Sequence, residues 1–499
     1  MQNLNYKIVI FFIGILLIFN GGLMLFSSLV SYFYKDGVTF QIIQASIFVI
    51  SIGSILILIG RNHDKNIFNK REGYLIVSLG WLLMVITGTF PYLFTGTFPD
   101  FPSTFFETMS GYTATGATVI NNIEALPSGI LFWRSMTHWI GGMGIIVLAI
   151  AILPLLGIGG MQLFSAEAPG PNGDKLHPRI ADTAKRLWII YVLFTIAEAL
   201  MLNIAGMSIF DSINHAMSTM ASGGFSTKNA SLAHWNHQPW IHYIIILFMF
   251  LAGSNFVLSY FALSGKINRV LKDNEFIAYL SLVIICSIIV FGTIIYNVDL
   301  NNSTFDHPQV WGKFESSFRH SIFQVIAIIT TTGFVTSDYT SWTSLMTIFF
   351  FGLMFIGGSA GSTSGGVKVV RYLLMIKGAF LEFKKSLHPN AIILPRYNGR
   401  VVTQEILGNI FTFFILYMLT FIFGSLVFGY LGLDFKNAIG VAAAFIGNVG
   451  PAIGDFGPSG NYSSLPSFGK FWASFLMLLG RLELFTVLIL FTPFFWKKA

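Results

Sequence analysis

Only one cysteine, Cys286, stands in the 499 residues, so no intrachain disulfide can form, and its place inside an apolar run reads as a small buried hydrophobe. Charge is scarce too, with Asp, Glu, Lys and Arg making up 10% of the chain. No phosphate-cradling GxxxxGK[ST] loop occurs; its nearest approach, Ser264-Gly-Lys-Ile267, lacks the pattern. Gly157-Ile-Gly-Gly160 has the wrong spacing for a dinucleotide fold and no βαβ unit around it. These absences exclude an ATP-driven engine or an organic cofactor within this chain.

What is present is hydrocarbon: 54% of residues are hydrophobic and 52 are phenylalanine, a composition that no water-soluble domain needs. Apolar runs long enough to cross about 30 Å of lipid recur near 8–33, 39–60, 74–95, 130–156, 186–206, 240–264, 276–297, 344–376, 405–432 and 471–496. The first follows Lys7 without a small-residue cleavage motif and is too long for a signal peptide, so it is expected to stay as a helix. The expected fold is an all-α polytopic membrane protein with about ten transmembrane helices.

The formal net charge of +7 is sorted by membrane side and does not point to nucleic acid. Basic residues collect in alternate loops: Arg61, Lys65, Lys70 and Arg71; Lys175, Arg179, Lys185 and Arg186; Lys266, Arg269 and Lys272; Lys377, Lys384, Lys385, Arg396 and Arg400; then Lys497 and Lys498. The intervening loops hold Lys35, none over 96–126, Lys228, Lys313 with Arg319, and Lys436 with Lys470. The positive-inside rule then puts both termini in the cytoplasm.

Four glycine-centred segments enter from the opposite, outer side: Thr113-Ala-Thr-Gly-Ala117, Ala221-Ser-Gly-Gly-Phe225, Thr330-Thr-Thr-Gly-Phe334 and Gly447-Asn-Val-Gly-Pro451. Centred on Gly116, Gly223, Gly333 and Gly450, they repeat at spacings of 107, 110 and 117 residues. Each follows a moderately apolar stretch, 102–113, 209–221, 315–330 or 435–446, too short to span the membrane but long enough for a half-helix. Such a half-helix aims its partly negative C-terminal end at the membrane interior, where it favours a cation. The glycine segments then return with exposed carbonyls, tolerable only beside a hydrated path. Thr115, Gly116, Ser222, Gly223, Thr332, Gly333, Val449 and Gly450 are the candidate ion-lining residues, with Thr113, Ala114 and Asn448 beside them, and the threonine and serine hydroxyls as further oxygens. A plain turn explains one such segment; four in register favour a ring.

With these segments stand Trp133-Arg-Ser-Met-Thr-His-Trp-Ile-Gly-Gly-Met-Gly144, Leu153-Pro-Leu-Leu-Gly-Ile-Gly-Gly-Met-Gln162, Glu167-Ala-Pro-Gly-Pro171 and Pro178-Arg-Ile-Ala-Asp182. Over nearly its whole length the chain resembles the Trk/Ktr/HKT superfamily of potassium transporters and, within it, the bacterial TrkH/TrkG branch. The resemblance implies four pseudo-symmetric helix–pore helix–helix repeats around a central pore, at 71–160, 183–265, 275–378 and 403–499, preceded by two N-terminal helices within 1–70. It implies K+ as the transported ion, with Rb+ also passing. Selectivity over Na+ is expected to be modest because the four segments are unequal. It further implies a homodimer in the bacterial cytoplasmic membrane and control by a cytosolic TrkA-type nucleotide-binding ring. The cytoplasmic loops 157–185 and 377–404 suit docking.

A second constellation, Gly357-Gly-Ser-Ala-Gly-Ser-Thr-Ser-Gly-Gly366, breaks the run 344–376 at membrane depth. Each interior glycine costs about 1 kcal/mol relative to alanine, so no continuous helix is expected there. In the resembled family this break is the gate, and Gly357, Gly358, Ser359, Ala360, Gly361, Ser362, Thr363, Ser364, Gly365 and Gly366 are the expected gate residues; a close-packing glycine patch is the alternative. Arg481 stands within the last apolar run, where an unpaired charge is costly. The resemblance makes it a pore-lining gate residue, and pairing with Glu483 or another acid is the alternative. Gly357-Gly-Ser-Ala-Gly361 also matches the G-x-S-x-G form of a hydrolase elbow, but no strand-turn-helix surrounds it and no enzyme is expected. Coupling of K+ to H+ or Na+ symport is left open by the residues.

Overall fold

The computed structural model describes residues 4–61, 70–152, 180–298, 305–388 and 394–496. The motifs at 153–162 and 167–171 lie outside these residues, as do Pro178 and Arg179 and most of the loop 157–185. The fold is helical: among the described residues the sole two-stranded sheet is a hairpin pairing Arg396–Tyr397 with Arg400–Val401. Among the described residues six helices, Tyr6–Tyr34, Thr39–Gly60, Arg71–Thr95, Lys185–Ile204, Asn274–Asn297 and Gln404–Tyr430, are long and apolar enough to cross a membrane. Two bent pairs raise that number to as many as eight. Their outward faces carry exposed Ile55, Leu58, Ile285, Ile288, Leu419, Phe423 and Leu426, an apolar belt that only lipid suits.

The apolar runs at 240–264 and 471–496 are bent where the sequence shows only hydrocarbon. Pro239–Ala252 meets Phe256–Leu263 at 110°, and Ser467–Arg481 meets Phe485–Phe491 at 112°. At the first bend Asn255 caps the new helix, its side chain accepting from the Val257 amide at 2.8 Å. The carbonyls freed there are taken up across the fold, Gly253 by the Ser359 amide at 2.8 Å and Ala252 by the Thr363 amide at 3.3 Å. At the second, Glu483 and Leu484 hold φ of 55° and 52°, a strained region for residues with side chains, and the Glu483 carboxylate pairs with Arg371.

Four half-helices hang from one side: Phe101–Tyr112, Ile209–Met220, Lys313–Ile329 and Phe435–Gly447. The first is capped by Asp100, whose side chain accepts from the Ser103 amide at 2.7 Å, and the second by Ser208, which accepts from the Asp211 amide at 3.0 Å. Hydrogen bonding from Ser103 holds the Asp100 carboxyl below the ordinary carboxylate range. The N-terminal helix reaches the first half-helix through one buried polar residue. Asn20 accepts from the Tyr112 hydroxyl at 2.6 Å and donates to Thr87 Oγ1 at 3.1 Å, so Tyr6–Tyr34 fixes the end of that half-helix.

Candidate ion-binding ring and the loop beneath it

Past each half-helix the backbone turns back and spends its amides on the helix it has left. The amides of Ala114, Ser222, Thr331 and Asn448 donate to the carbonyls of Gly111, Thr219, Ile328 and Phe445 at 3.0, 2.9, 3.0 and 3.2 Å. Two residues in each segment then take positive φ: Ala114 (50°) and Gly116 (80°), Ser222 (55°) and Gly224 (76°), Thr331 (56°) and Gly333 (72°), Asn448 (54°) and Gly450 (94°). Alternating the sign of φ keeps successive carbonyls from pointing to opposite sides, as they do in a strand.

The four segments close on one another in chain order. A β-carbon on Gly116 would overlap the Gly223 carbonyl oxygen, one on Gly224 that of Thr332, and one on Gly333 that of Val449. The circle is completed by Gly450, where a β-carbon would stand 2.5 Å from the Thr115 oxygen. Only glycine permits both the conformation and the approach. Of the twelve carbonyls of residues 114–116, 222–224, 331–333 and 448–450, Gly450 alone accepts a hydrogen bond among the described residues. Ala114, Thr115, Ser222, Thr331, Thr332, Asn448 and Val449 are nonetheless buried. More than nine in ten buried backbone carbonyls in proteins are paired, so this concentration of unpaired ones is the site's defining property.

The hydroxyls are used differently from the carbonyls. Thr113 Oγ1 donates to Met109 O at 2.7 Å and lies 2.7 Å from Thr115 Oγ1, which also accepts from Asn448 Nδ2 at 3.0 Å. Thr330 and Thr332 repeat the arrangement at 2.7 and 2.8 Å. These hydroxyls brace the segments against protein partners.

Beneath the ring runs a nonhelical loop between Ser344–Leu353 and Val369–Leu387. Its amides are taken in turn: Gly357 by Val367 O at 2.9 Å, Gly358 by Ser364 Oγ at 2.9 Å, Ala360 by Glu275 Oε1 at 2.7 Å, and Ser362 by Ser359 O at 3.2 Å. Two contacts reach the ring segments themselves: Thr363 Oγ1 lies 2.9 Å from Ser222 Oγ, and the Gly365 amide donates to Thr331 Oγ1 at 2.7 Å. Arg481 donates to Thr363 O at 2.6 Å and to Gly141 O at 2.8 Å. Glu483 belongs to Arg371 instead.

Buried charges hold the segments that lead away from the ring. Glu107 pairs with Arg134 at 2.7 Å and accepts from the Val119 amide at 2.9 Å, while Arg134 donates to Ser226 O at 2.9 Å. Phe225 is clamped between the Arg134 guanidinium, 3.5 Å from its centroid, and the His138 ring stacked at 3.9 Å. Glu107, which the sequence offered as a helix cap or an attractor of cations at the mouth, lies mid-helix in this buried pair, and Asp100 is the cap.

A sequence profile of the TrkH family, described as cation transport protein, matches residues 38–498. The chain belongs to this family. It is 40% identical to the Trk system potassium uptake protein TrkH of Salmonella typhimurium, over 99% of this chain and 100% of the relative, and 39% identical to that of Escherichia coli strain K12 over the same shares. The crystal structure of the potassium transporter TrkH from Vibrio parahaemolyticus superposes with a TM-score of 0.87 at 34% identity, covering 99% of this chain and 100% of that one.

Within this TrkH-family chain the structure brings the expected ring residues together, with one change of register. The φ pattern and the ring contacts set Gly224, not Gly223, level with Gly116, Gly333 and Gly450, which makes the spacings 108, 109 and 117. Gly223 is level with Thr115, Thr332 and Val449, and a β-carbon there would run into the His138 ring. Asn20 received no role in the sequence and Arg134 none in transport, because buried polar residues reveal their partners only in three dimensions. Removing one member of a buried ion pair costs about 3–5 kcal/mol. Glu107→Gln is expected to lower the melting midpoint in detergent strongly, and adding Arg134→Met is expected to recover part of the loss; an unchanged midpoint in the single variant contradicts the role assigned to the pair.

Proposed function

We propose that the chain takes up potassium across the bacterial cytoplasmic membrane through the ring, with both termini in the cytoplasm. One observation carries this reading: a closed circle of twelve carbonyls, eleven of them without a protein donor among the described residues. A dehydrated cation supplies what such oxygens lack, and the C-terminal ends of four converging half-helices add negative potential. The relatives' names, potassium uptake proteins, support K+ as that cation. Thr115, Gly116, Gly223, Gly224, Thr332, Gly333, Val449 and Gly450 line the path, with Ala114, Ser222, Thr331 and Asn448 below them, within pore repeats at 71–160, 183–265, 275–378 and 403–499. An inside-negative potential drives uptake at about 2.3 kcal/mol per charge per 100 mV.

The loop 357–366 with Arg481 is the gate of this path. Its hydrogen bonds to Thr331 and Ser222 support a position directly below the ring. A link to the cytoplasm supports control from there: the Asn274 amide donates to Asn398 of the hairpin at 2.9 Å, Tyr397 reaches Glu275 at 3.4 Å, and Glu275 accepts from the gate amide of Ala360. A TrkA-type ring beneath a homodimer is the partner that the family resemblance suggests. The enzyme alternative gains no support: Ser359 stands in a loop, and no histidine is hydrogen-bonded to it among the described residues.

Two variants test the reading. Gly116→Ser forces a β-carbon onto the Gly223 oxygen and is expected to raise Na+ permeability relative to K+ by about threefold or more, the scale of about 0.7 kcal/mol. An unchanged ratio counts against the ring as filter. Deleting residues 359–365 is expected to raise basal K+ flux in liposomes; a well-folded deletion with lower flux counts against the gate.

A further inference from the structure

The fourth ring segment differs from the others at one atom. The Gly450 carbonyl accepts a 2.6 Å hydrogen bond from the Tyr462 hydroxyl, whereas those of Gly116, Gly224 and Gly333 accept none among the described residues. Tyr462 is buried and has no room to swing away. Its ring stacks on Phe456 at 5.2 Å and 6°, packs against Phe445 at 4.9 Å, and its amide donates to Thr118 O at 2.9 Å. The local geometry departs in the same place. Gly450 has φ of 94° against 80°, 76° and 72° at Gly116, Gly224 and Gly333, its approach to the neighbouring carbonyl is the loosest of the four, and Pro451 follows it.

We propose that Tyr462 is a specificity-determining residue of the ion path: its hydroxyl draws the Gly450 carbonyl toward the protein and leaves the ring-glycine layer with three fully available oxygens in place of four. This rests on the ring being the path. Discrimination between K+ and Na+ depends on the number and field strength of the carbonyl dipoles that replace the hydration shell. An oxygen that already accepts a hydrogen bond offers less to a cation, so an ion in this layer keeps water on its fourth side. The layer then discriminates less well, and releasing the fourth oxygen sharpens it.

The test is Tyr462→Phe in the full chain, reconstituted in liposomes, with K+ and Na+ on opposite sides. The K+/Na+ permeability ratio is expected to rise by about threefold, the scale of one neutral hydrogen bond given up. Tyr339→Phe is the control. It removes a buried hydroxyl that donates to Ala452 O at 2.9 Å, two residues beyond the ring, and is expected to leave the ratio unchanged. An unchanged ratio in folded Tyr462→Phe overturns the proposal, and so does an equal rise in Tyr339→Phe. If Tyr462→Phe does not assemble, anomalous scattering from Rb+ in crystals of the unmodified protein decides. Rb+ displaced toward Gly116, Gly224 and Gly333 supports the role of Tyr462, and Rb+ equidistant from all four carbonyls overturns it. Absence of Rb+ from the whole ring overturns the path itself, and this role with it.

Discussion

At four points a neighbouring segment's carbonyl oxygen occupies the place where a side chain would begin. That contact, glycine against carbonyl, passes from segment to segment until it closes on the first, and the rest of the structure serves to keep it. The half-helices absorb the amides so that the carbonyls remain free. Glu107 and Arg134 then anchor the segments that leave the ring, one holding Val119 and the other Ser226. Even the N-terminal helix takes part: Asn20 holds Tyr112, the last residue before the first turn.

A ring of four unequal segments has no exact symmetry, and the loop 357–366 meets its second and third segments, at Ser222 and Thr331. Carbonyls freed by the helix bend at 253–255 are met by amides of this loop, and Arg481 from the other bent pair reaches Thr363. Breaks in three apolar runs therefore solve one problem together. Backbone groups exposed at membrane depth are expensive, and each break supplies partners for another. Movement of the loop has to exchange these bonds for others, among them those to Ser222 and Thr331 of the ring segments.

Much of this was legible before any coordinates. The half-helices begin and end within two residues of the stretches read from hydropathy, because their length and their flanking glycine segments are local properties. The register of the second segment was not legible: Gly223 and Gly224 are chemically identical, and only the sign of φ separates the ring glycine from its neighbour. The bends at 253–255 and 482–484 were hidden for a different reason, since hydropathy runs unbroken through them. Arg481 donates to the carbonyls of Thr363 and Gly141, partners that no sequence pattern marks. Tyr462 and Asn20 escaped notice because one polar atom in an apolar surrounding gains meaning only from what it touches.

The central claim is that the free carbonyls of this ring make a path selective for K+. The most direct measurement is the reversal potential of the purified chain in liposomes under separately imposed K+, Na+ and H+ gradients. The account predicts a reversal potential that follows the K+ gradient; a current indifferent to K+, reversing with Na+ or H+ instead, contradicts it.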